Sequence, residues 1–286
     1  MNMRDLLRKG YRGAPDPQVD TIWVVVPLSR PEFLNNVVCN FTEQKFYGKK
    51  LVIVENGDAV GICKKRGFQC DLILTSDKHQ SHAKNTALAE IRKHGGGFWT
   101  TFDDDDYYGP DYLTELSGYA KRGDLIGKLF HFIRTTDGFM RVQLGQVNVP
   151  CEIQKPVAGP TISAWAEDCP DFAVVNTGED TQLFVDMFNK GAKVFSTSPW
   201  HFAMIRRESG HTWKATDEQM VQHTDDGMFE MNDNHFEYVN GKAIDQCVYI
   251  EKQPWCLNDF PIFQEFAEKT GKDAEYWMED SVVVGE

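Results

Sequence analysis

The first 110 or so residues alternate four apolar runs with segments of helical pattern. The runs cover residues 21–27, 50–54, 71–75 and 97–102, are rich in β-branched and aromatic residues, and each ends at a turn or a polar cluster. Such runs are typical of buried strands. Because strands that alternate with helices form parallel sheets, we predict an α/β fold with a mostly parallel, Rossmann-like sheet flanked by helices.

The second half has a mixed pattern. The Asp-Gly pair that begins at Asp137 predicts a hairpin over 124–143. Residues 144–177 contain four prolines and are predicted to be irregular. Apolar spacing predicts the remaining elements, which are helices at 110–121 and 179–190 and strands at 192–197 and 200–206.

Composition narrows the classes of function. The chain has 286 residues and a formal net charge of −13, which disfavours a protein that binds a nucleic-acid duplex through many phosphates. The negative net charge suits a small anionic ligand that a metal ion bridges to the protein, because the cation neutralises the charges of both the ligand and the protein. The seven cysteines are scattered without a CxxC pair, which fits a reducing compartment and disfavours disulfides or a zinc ribbon.

No stretch approaches the ~18 uninterrupted apolar residues of a membrane helix, and the N-terminus lacks the apolar region of a signal peptide. We therefore expect no transmembrane segment and a cytoplasmic location, in the host cytoplasm if the protein is viral.

Four consecutive aspartates, Asp103 to Asp106, follow the fourth apolar run and precede a Gly-Pro break. We expect them at the carboxyl end of a strand, where open α/β sheets bind ligands. Adjacent carboxylates repel one another, and Mg²⁺, Mn²⁺ or Ca²⁺ would neutralise them. A solvated acidic loop is the alternative. Aromatic residues on both sides of the run favour carboxylates held at the edge of a core.

Five segments, in order, resemble GT-A fold glycosyltransferases of the large family 2 type: VVVPLSRPEFL, LVIVENGD, HAKNTAL, FDDDDYYGPDYL and NTGEDTQLFVDM. The fourth is similar to the family's DXD segment and the fifth to its EDxxL helix. The resemblance implies a GT-A-like catalytic domain at 21–215. Residues 1–20 are polar and basic and are predicted to form an N-terminal arm, and residues 216–286, which the resemblance does not cover, are predicted to be a C-terminal extension. Within the domain, 21–120 would bind the nucleotide sugar and 121–215 the acceptor.

The resemblance also implies a nucleotide-sugar donor, with a UDP-sugar expected, and a Mn²⁺ or Mg²⁺ ion that bridges its diphosphate to the aspartates. Asp105 would bind the metal, and Asp103 would face the ribose and also serve as a metal ligand. Asp104 and Asp106 are substitutes, because a run of four leaves the register open. His211 is a further metal candidate, and a surface loop with a capping histidine is the open alternative for its segment. The residues implied at the donor are Pro27, Ser29, Arg30, Glu55, Lys84, Asp103, Asp104, Arg206 and Arg207.

Glu55 matches an acidic position of the family that contacts the base. The family usually has a second acid there, and this chain has Asn56 instead.

Asp180, beside Glu179, is implied as the general base of an inverting transfer, which removes the proton from the acceptor hydroxyl. A structural interpretation competes with this one. The segment from Thr177 to Asp180 matches the capping-box pattern, and acids are favoured in a first helical turn. The two roles are compatible.

The expected function is therefore metal-dependent transfer of a hexose or pentose to an acceptor hydroxyl. A saccharide and a hydroxylated base in viral DNA are both open as acceptors. A processive polysaccharide synthase is disfavoured, because there is no clear QxxRW motif.

Three other interpretations are weaker or remain open. A nucleotidyltransferase is disfavoured, because PLSRPEF lacks a glycine-rich basic loop. A non-catalytic nucleotide-sugar-binding or scaffold protein with a degenerate GT-A fold is the alternative. Zinc at His79, His82 and His94 is disfavoured for want of a cysteine or acid partner nearby.

The C-terminal extension is a candidate contact for a homo-oligomer.

Overall fold

The computed structural model describes residues 13–77, 79–134, 136, 140–143, 150–175, 178–207, 228–230 and 248–250. The strands of this part are β1 Ile22–Leu28, β2 Lys49–Glu55, β3 Leu72–Thr75, β4 Phe98–Thr101, β5 Tyr107–Tyr108, β6 Leu125–Gly127, β7 His131–Arg134, β8 Met140–Gln143, β9 Cys151–Ile153, β10 Ser163–Trp165, β11 Val194–Ser196, β12 Phe202–Ile205, β13 Met228–Glu230 and β14 Val248–Ile250. The helices are α1 Leu34–Thr42, α2 Ile62–Lys65, α3 Gln80–Lys93, α4 Tyr112–Tyr119 and α5 Glu179–Asn189. Short 3-10 helices span Pro31–Phe33, Gly57–Ala59 and Gly159–Thr161.

The main sheet has eight strands in the order β3-β2-β1-β4-β10-β6-β11-β9. Its first half is parallel, as predicted: β1 lies between β2 and β4 and runs parallel to both. All seven residues of β1 are buried, because helices cover both faces of the sheet. The valines of β1 alternate between the two faces, with Val25 packing towards α3 and Val24 towards α1 and α4.

A second sheet has the order β14-β13-β8-β7-β12-β5. The predicted hairpin is confirmed in its second part, because β7 and β8 are antiparallel neighbours. Its first strand was predicted as one continuous run, and that is wrong. The run divides into β6 in the main sheet and β7 in the second sheet, and the chain crosses between them at Lys128.

The prediction of irregular structure over 144–177 is also wrong within the described residues. This segment contains β9, a 3-10 helix and β10, and β10 lies antiparallel between β4 and β6 in the main sheet. Each of the two strands is only three residues long, which is too short for alternation to be visible beside the prolines.

Part of the predicted N-terminal arm packs on α4. The Gln18 N–H donates to the Ser117 carbonyl (2.9 Å), and the Gln18 side-chain oxygen accepts from the Lys121 N–H (2.8 Å). The predicted extension at 216–286, and any oligomer contact through it, lies outside the described residues apart from β13 and β14. Among the described residues, no helix has the length and apolar character to cross a membrane.

A buried ion pair joins the two sheets. Lys128 is fully buried, and its amine lies 2.7 Å from a Glu115 carboxylate oxygen and 2.8 Å from the Ser198 carbonyl. Glu115, on α4, also accepts from the Ser198 N–H (2.9 Å), which lies between β11 and β12. Burial lowers the pKa of Lys128, and the negative charge of Glu115 opposes that shift. The pair therefore depends on both partners.

We predict that Lys128→Met, which leaves Glu115 buried without its counter-charge, lowers the free energy of unfolding by about 3–5 kcal/mol. Lys45→Met is the matched control, because Lys45 pairs with Asp111 at the surface (2.8 Å) and should cost no more than about 1 kcal/mol. Urea unfolding measures both. Equal losses in the two variants would contradict the prediction.

His131 on β7 gives a pH-dependent prediction. The side chain is buried, and neither ring nitrogen has a hydrogen-bond partner among the described residues. Burial, together with the charge of Lys128, lowers the pKa of His131 from 6.5 to about 4. Between these two values the unfolded chain binds a proton that the folded protein does not, so stability falls as the pH drops through this window. His131→Phe should flatten the stability profile between pH 7 and 4 by up to about 3 kcal/mol.

Denaturant titrations across this pH range, with His94→Gln as an exposed-histidine control, test the effect of His131. The same acid slope in His131→Phe as in the parent protein would refute the assignment.

Candidate active site

The carboxyl ends of β1, β2 and β4 meet at one edge of the main sheet, and the aspartate run follows β4 there. The chain leaves β4 with the Phe102 N–H bonded to the Val25 carbonyl (2.9 Å), so the run begins beside β1. Asp104, Asp105 and Asp106 are buried, and Asp103 is half-buried. The solvated-loop interpretation does not fit this burial.

Three of the four aspartates converge. Asp103, Asp105 and Asp106 each present a carboxylate oxygen within 4.8 Å of the others. In the part of the chain that the structure describes, no other group of three histidine, cysteine or acidic residues is arranged to hold a metal ion. This set is called the carboxylate trio below. Of the two substitutes that the sequence left open, Asp106 joins the trio and Asp104 does not.

The electrostatics of the trio suit a cation. Burial raises the pKa of Asp103 to about 8; Lys84 opposes the shift, and the charges of Asp105, Asp180 and Asp104 add to it. Burial also raises the pKa of Asp106 well above its usual range, with Asp105 and Asp103 as further causes. Three hard oxygen donors under mutual repulsion fit Mg²⁺ or Mn²⁺.

Two arginines bind Asp105. Its carboxylate lies 2.9 Å from Arg30 and 3.1 Å from Arg207, and Arg207 also donates to the Asp105 carbonyl (2.6 Å). Arg30 additionally pairs with Asp104, which accepts from the Ser29 N–H (3.2 Å). Both guanidinium groups pack over the ring of Phe33, at 4.5 and 4.6 Å from its centroid. Two positive charges are thereby held beside the trio.

Two asparagines on α1, which sequence reasoning missed, hold the backbone of the run. Asn36 donates to the carbonyls of Asp104 (2.8 Å) and Asp106 (3.0 Å), and Asn40 donates to the Asp106 carbonyl (2.8 Å). On the other side, the Ile205 N–H of β12 donates to the Asp106 carboxylate (2.9 Å). The sequence signal that could have identified them is the presence of two asparagines on the face of α1 that packs on the sheet.

Lys84 and the acid pair form the second half of the site. Lys84, on α3, is fully buried, and its amine lies 2.7 Å from Asp180 and 3.2 Å from Glu179 at the start of α5. Burial lowers the pKa of Lys84, but Asp180, Glu179 and Asp103 together raise it above its usual value. The side chain predicted near the nucleotide therefore binds the predicted base. The Asp180 side chain remains 31% exposed, which leaves it reachable from solvent.

The capping-box pattern does not match the start of α5. The residue at the N-cap position is Gly178, one position after the threonine that the pattern requires. Thr177 itself lies outside the described residues. Asp180 is thus in the first turn of the helix with its carboxylate on Lys84.

The remaining candidates lie in different settings. Pro27 is buried within β1, paired with Val54 of β2. Glu55 ends β2, and its two carboxylate oxygens accept from the N–H groups of Gly61 and Cys63, each at 2.7 Å. Arg206 follows β12 and is buried, and its main-chain N–H donates to the Arg134 carbonyl (2.7 Å). His211 lies outside the described residues.

The strand topology is that of a GT-A-type fold, as the sequence predicted. S. aureus TarS 1–349 in complex with UDP-GlcNAc is similar to this chain with a TM-score of 0.53 and 16% identity, over 68% of this chain and 61% of that one. Another structure of S. aureus TarS 1–349 matches with a TM-score of 0.51 and 15% identity, over 65% and 60% of the two chains.

The matched region thus spans less than two thirds of the TarS fragment. No protein-family model matches the chain, and no curated protein matches it in sequence.

Gly159 gives a test of how tightly Asp180 is held. A Cβ atom at Gly159 would lie 1.9 Å from an Asp180 carboxylate oxygen, so any side chain there displaces the carboxylate from its place beside Lys84. We predict that Gly159→Ala lowers the free energy of unfolding by about 1–3 kcal/mol.

A double-mutant cycle isolates this contact. Asp180→Ala makes room for the new methyl group, so the cost of Gly159→Ala should shrink in that background, with a coupling energy above about 0.5 kcal/mol. Urea unfolding of the four proteins measures the cycle. Additive costs would mean that Gly159 and Asp180 are not in contact.

Proposed function

We propose that this protein is a metal-dependent, inverting glycosyltransferase that moves a sugar from a nucleotide-diphospho-sugar to an acceptor hydroxyl. The observation that supports this best is the carboxylate trio at the carboxyl end of β4 in a GT-A fold. A UDP-sugar is the expected donor. The UDP-GlcNAc complex of the structurally similar S. aureus TarS supports this choice of nucleotide.

The donor would lie across the ends of β1, β2 and β4. In this proposal Ser29 and Arg30 line the ribose and base, together with Pro27 and Glu55. Arg206 and Arg207 follow β12, on the side of the run where Arg207 already contacts Asp105. Guanidinium groups at this place suit the negative charge that develops on a diphosphate leaving group.

The trio would hold the cofactor. Asp103, Asp105 and Asp106 offer the oxygen ligands that Mn²⁺ and Mg²⁺ prefer, with His211 kept as a predicted further ligand. When bound, the cation supplies Lewis-acid stabilisation of the leaving diphosphate.

Asp180 is proposed as the general base. Its carboxylate would accept the proton of the acceptor hydroxyl as that oxygen attacks the anomeric carbon. Lys84 holds one of its oxygens at 2.7 Å and so fixes the position of the carboxylate. Glu179 shares the same lysine at 3.2 Å.

The acceptor is proposed only as a hydroxyl compound. A saccharide and a hydroxylated base in viral DNA both provide such a group. A net charge of −13 makes a nucleic-acid acceptor dependent on local basic residues.

Two substitutions separate binding from transfer. Asp105→Ala should abolish Mn²⁺-dependent binding of UDP, because it removes a ligand of the trio. Asp180→Asn should leave that binding intact and lower the release of UDP from UDP-GlcNAc or UDP-glucose by roughly 10²–10⁴-fold, the usual contribution of a general base.

Calorimetric titration of UDP and a panel of other nucleotides, with and without Mn²⁺, measures the binding. Asp111→Ala is the control, because it removes a nearby carboxylate that pairs with Lys45 at the surface. Undiminished UDP release by Asp180→Asn would show that the base is another residue. Absence of nucleotide binding in the parent protein would favour a scaffold with a degenerate site.

A further inference from the structure

A buried tyrosine hydroxyl connects the two halves of the candidate site. Tyr108 lies on β5, directly after the aspartate run, and its side chain is fully buried. Its hydroxyl accepts a hydrogen bond from the Asp103 N–H (2.8 Å) and donates one to the Pro160 carbonyl (2.8 Å). A single oxygen atom therefore bridges two segments that are 57 residues apart in sequence (160 − 103).

Aromatic packing fixes this hydroxyl in place. The Tyr108 ring stacks on Phe102, with centroids 3.7 Å apart and planes within 7° of parallel. Tyr112 meets the ring edge-on at 5.1 Å, and Phe202 of β12 lies against it at the same distance. Burial, together with the charges of Asp103 and Asp106, raises the pKa of Tyr108 well above its usual range. The hydroxyl has one proton to donate, and the Pro160 carbonyl accepts it.

The two ends of the bridge belong to different functional groups. Asp103 contributes a carboxylate to the trio. Pro160 lies in the 3-10 helix Gly159–Thr161, whose first residue packs so closely on Asp180 that a Cβ atom there would lie 1.9 Å from its carboxylate. One path from the trio to the proposed base therefore runs through the Tyr108 hydroxyl, beside the one that Lys84 provides.

We infer that Tyr108 is a positioning residue that sets the spacing between the carboxylate trio and Asp180. The inference rests on the proposed function, because the spacing matters only if both groups act on one donor. In an inverting transfer the base and the leaving group lie on opposite sides of the anomeric carbon, so their separation must be held. Misplacement by about 1 Å can cost roughly 10²-fold in rate.

Tyr112 provides a matched control within the same aromatic cluster. It is equally buried and touches Tyr108, but its hydroxyl lies beside Thr100 and Ser163, on neighbouring strands of the main sheet. Tyr108→Phe and Tyr112→Phe each delete one buried hydroxyl and keep the ring. A purely structural role predicts similar consequences for both.

The experiment compares the parent protein, Tyr108→Phe and Tyr112→Phe in three measurements. These are thermal unfolding, Mn²⁺-dependent UDP affinity by calorimetry, and the rate of UDP release from UDP-GlcNAc or UDP-glucose with water as acceptor. We expect both variants to melt a few degrees lower and to bind UDP within about 3-fold of the parent protein. Tyr108→Phe alone should lower the rate at saturating donor, by roughly 10–100-fold.

A second comparison uses the Asp180→Asn background. If Tyr108 acts through the placement of Asp180, adding Tyr108→Phe to Asp180→Asn should lower the residual rate by less than about 3-fold, because residues of one unit are not additive. Full additivity of the two losses would overturn the inference.

The remaining outcomes are distinguishable. If the parent protein releases UDP and the two phenylalanine variants lose rate equally, or if Tyr108→Phe weakens UDP binding instead of turnover, the inference about Tyr108 is wrong and the proposed function stands. If the parent protein neither binds UDP with Mn²⁺ nor releases it from either sugar nucleotide, the proposed function and the inference fall together.

Discussion

Repulsion among carboxylates at a buried sheet edge is the constraint on which the rest of this site depends. Asp103, Asp105 and Asp106 converge where little water can screen them. The surrounding chain supplies positive charge from three directions: Arg30 follows β1, Arg207 follows β12 and Lys84 comes from α3. Even so, burial, together with the charges of Asp105, Asp180 and Asp104, keeps the pKa of Asp103 raised to about 8.

The fold holds the run largely through its backbone. Asn36 and Asn40 bind its carbonyl groups from α1, and the Tyr108 hydroxyl binds the Asp103 N–H. Because these contacts use main-chain atoms, they fix the position of the run without occupying the carboxylate oxygens of the trio. Lys84 holds the Asp180 carboxylate at 2.7 Å. A rigid frame that holds the reacting groups in place is what a site for positional catalysis requires.

The sequence predicted the parallel half of the sheet because each strand there is a continuous apolar run that ends at a turn. It also predicted that the aspartates lie at a strand end, since burial of the flanking aromatics allows little else. It could not decide between Asp104 and Asp106, because four identical residues carry no register. That choice is made by Arg30 and Ser29, which bind Asp104 from another strand end.

The sequence also could not predict the contacts between distant segments, because no local pattern records which segments meet in the fold. Lys84 and Asp180 are 96 residues apart, and nothing local to α3 indicates that its lysine is buried on an acid pair. The three-residue strands β9 and β10 are stabilised by neighbours in the sheet, not by their own pattern. In the sequence, nothing distinguishes Tyr108 from the aromatic residues around it, because only the fold places its hydroxyl between Asp103 and Pro160.

The central claim is that the aspartate run holds a cation for a nucleotide diphosphate. The most direct test is a crystal structure of the protein grown with Mn²⁺ and UDP, with anomalous scattering recorded at the manganese edge. The account predicts an anomalous peak bonded to carboxylate oxygens of at least two of Asp103, Asp105 and Asp106, and to the diphosphate of UDP. Manganese elsewhere, for example beside His79 and His82, or UDP bound away from the run, would contradict it.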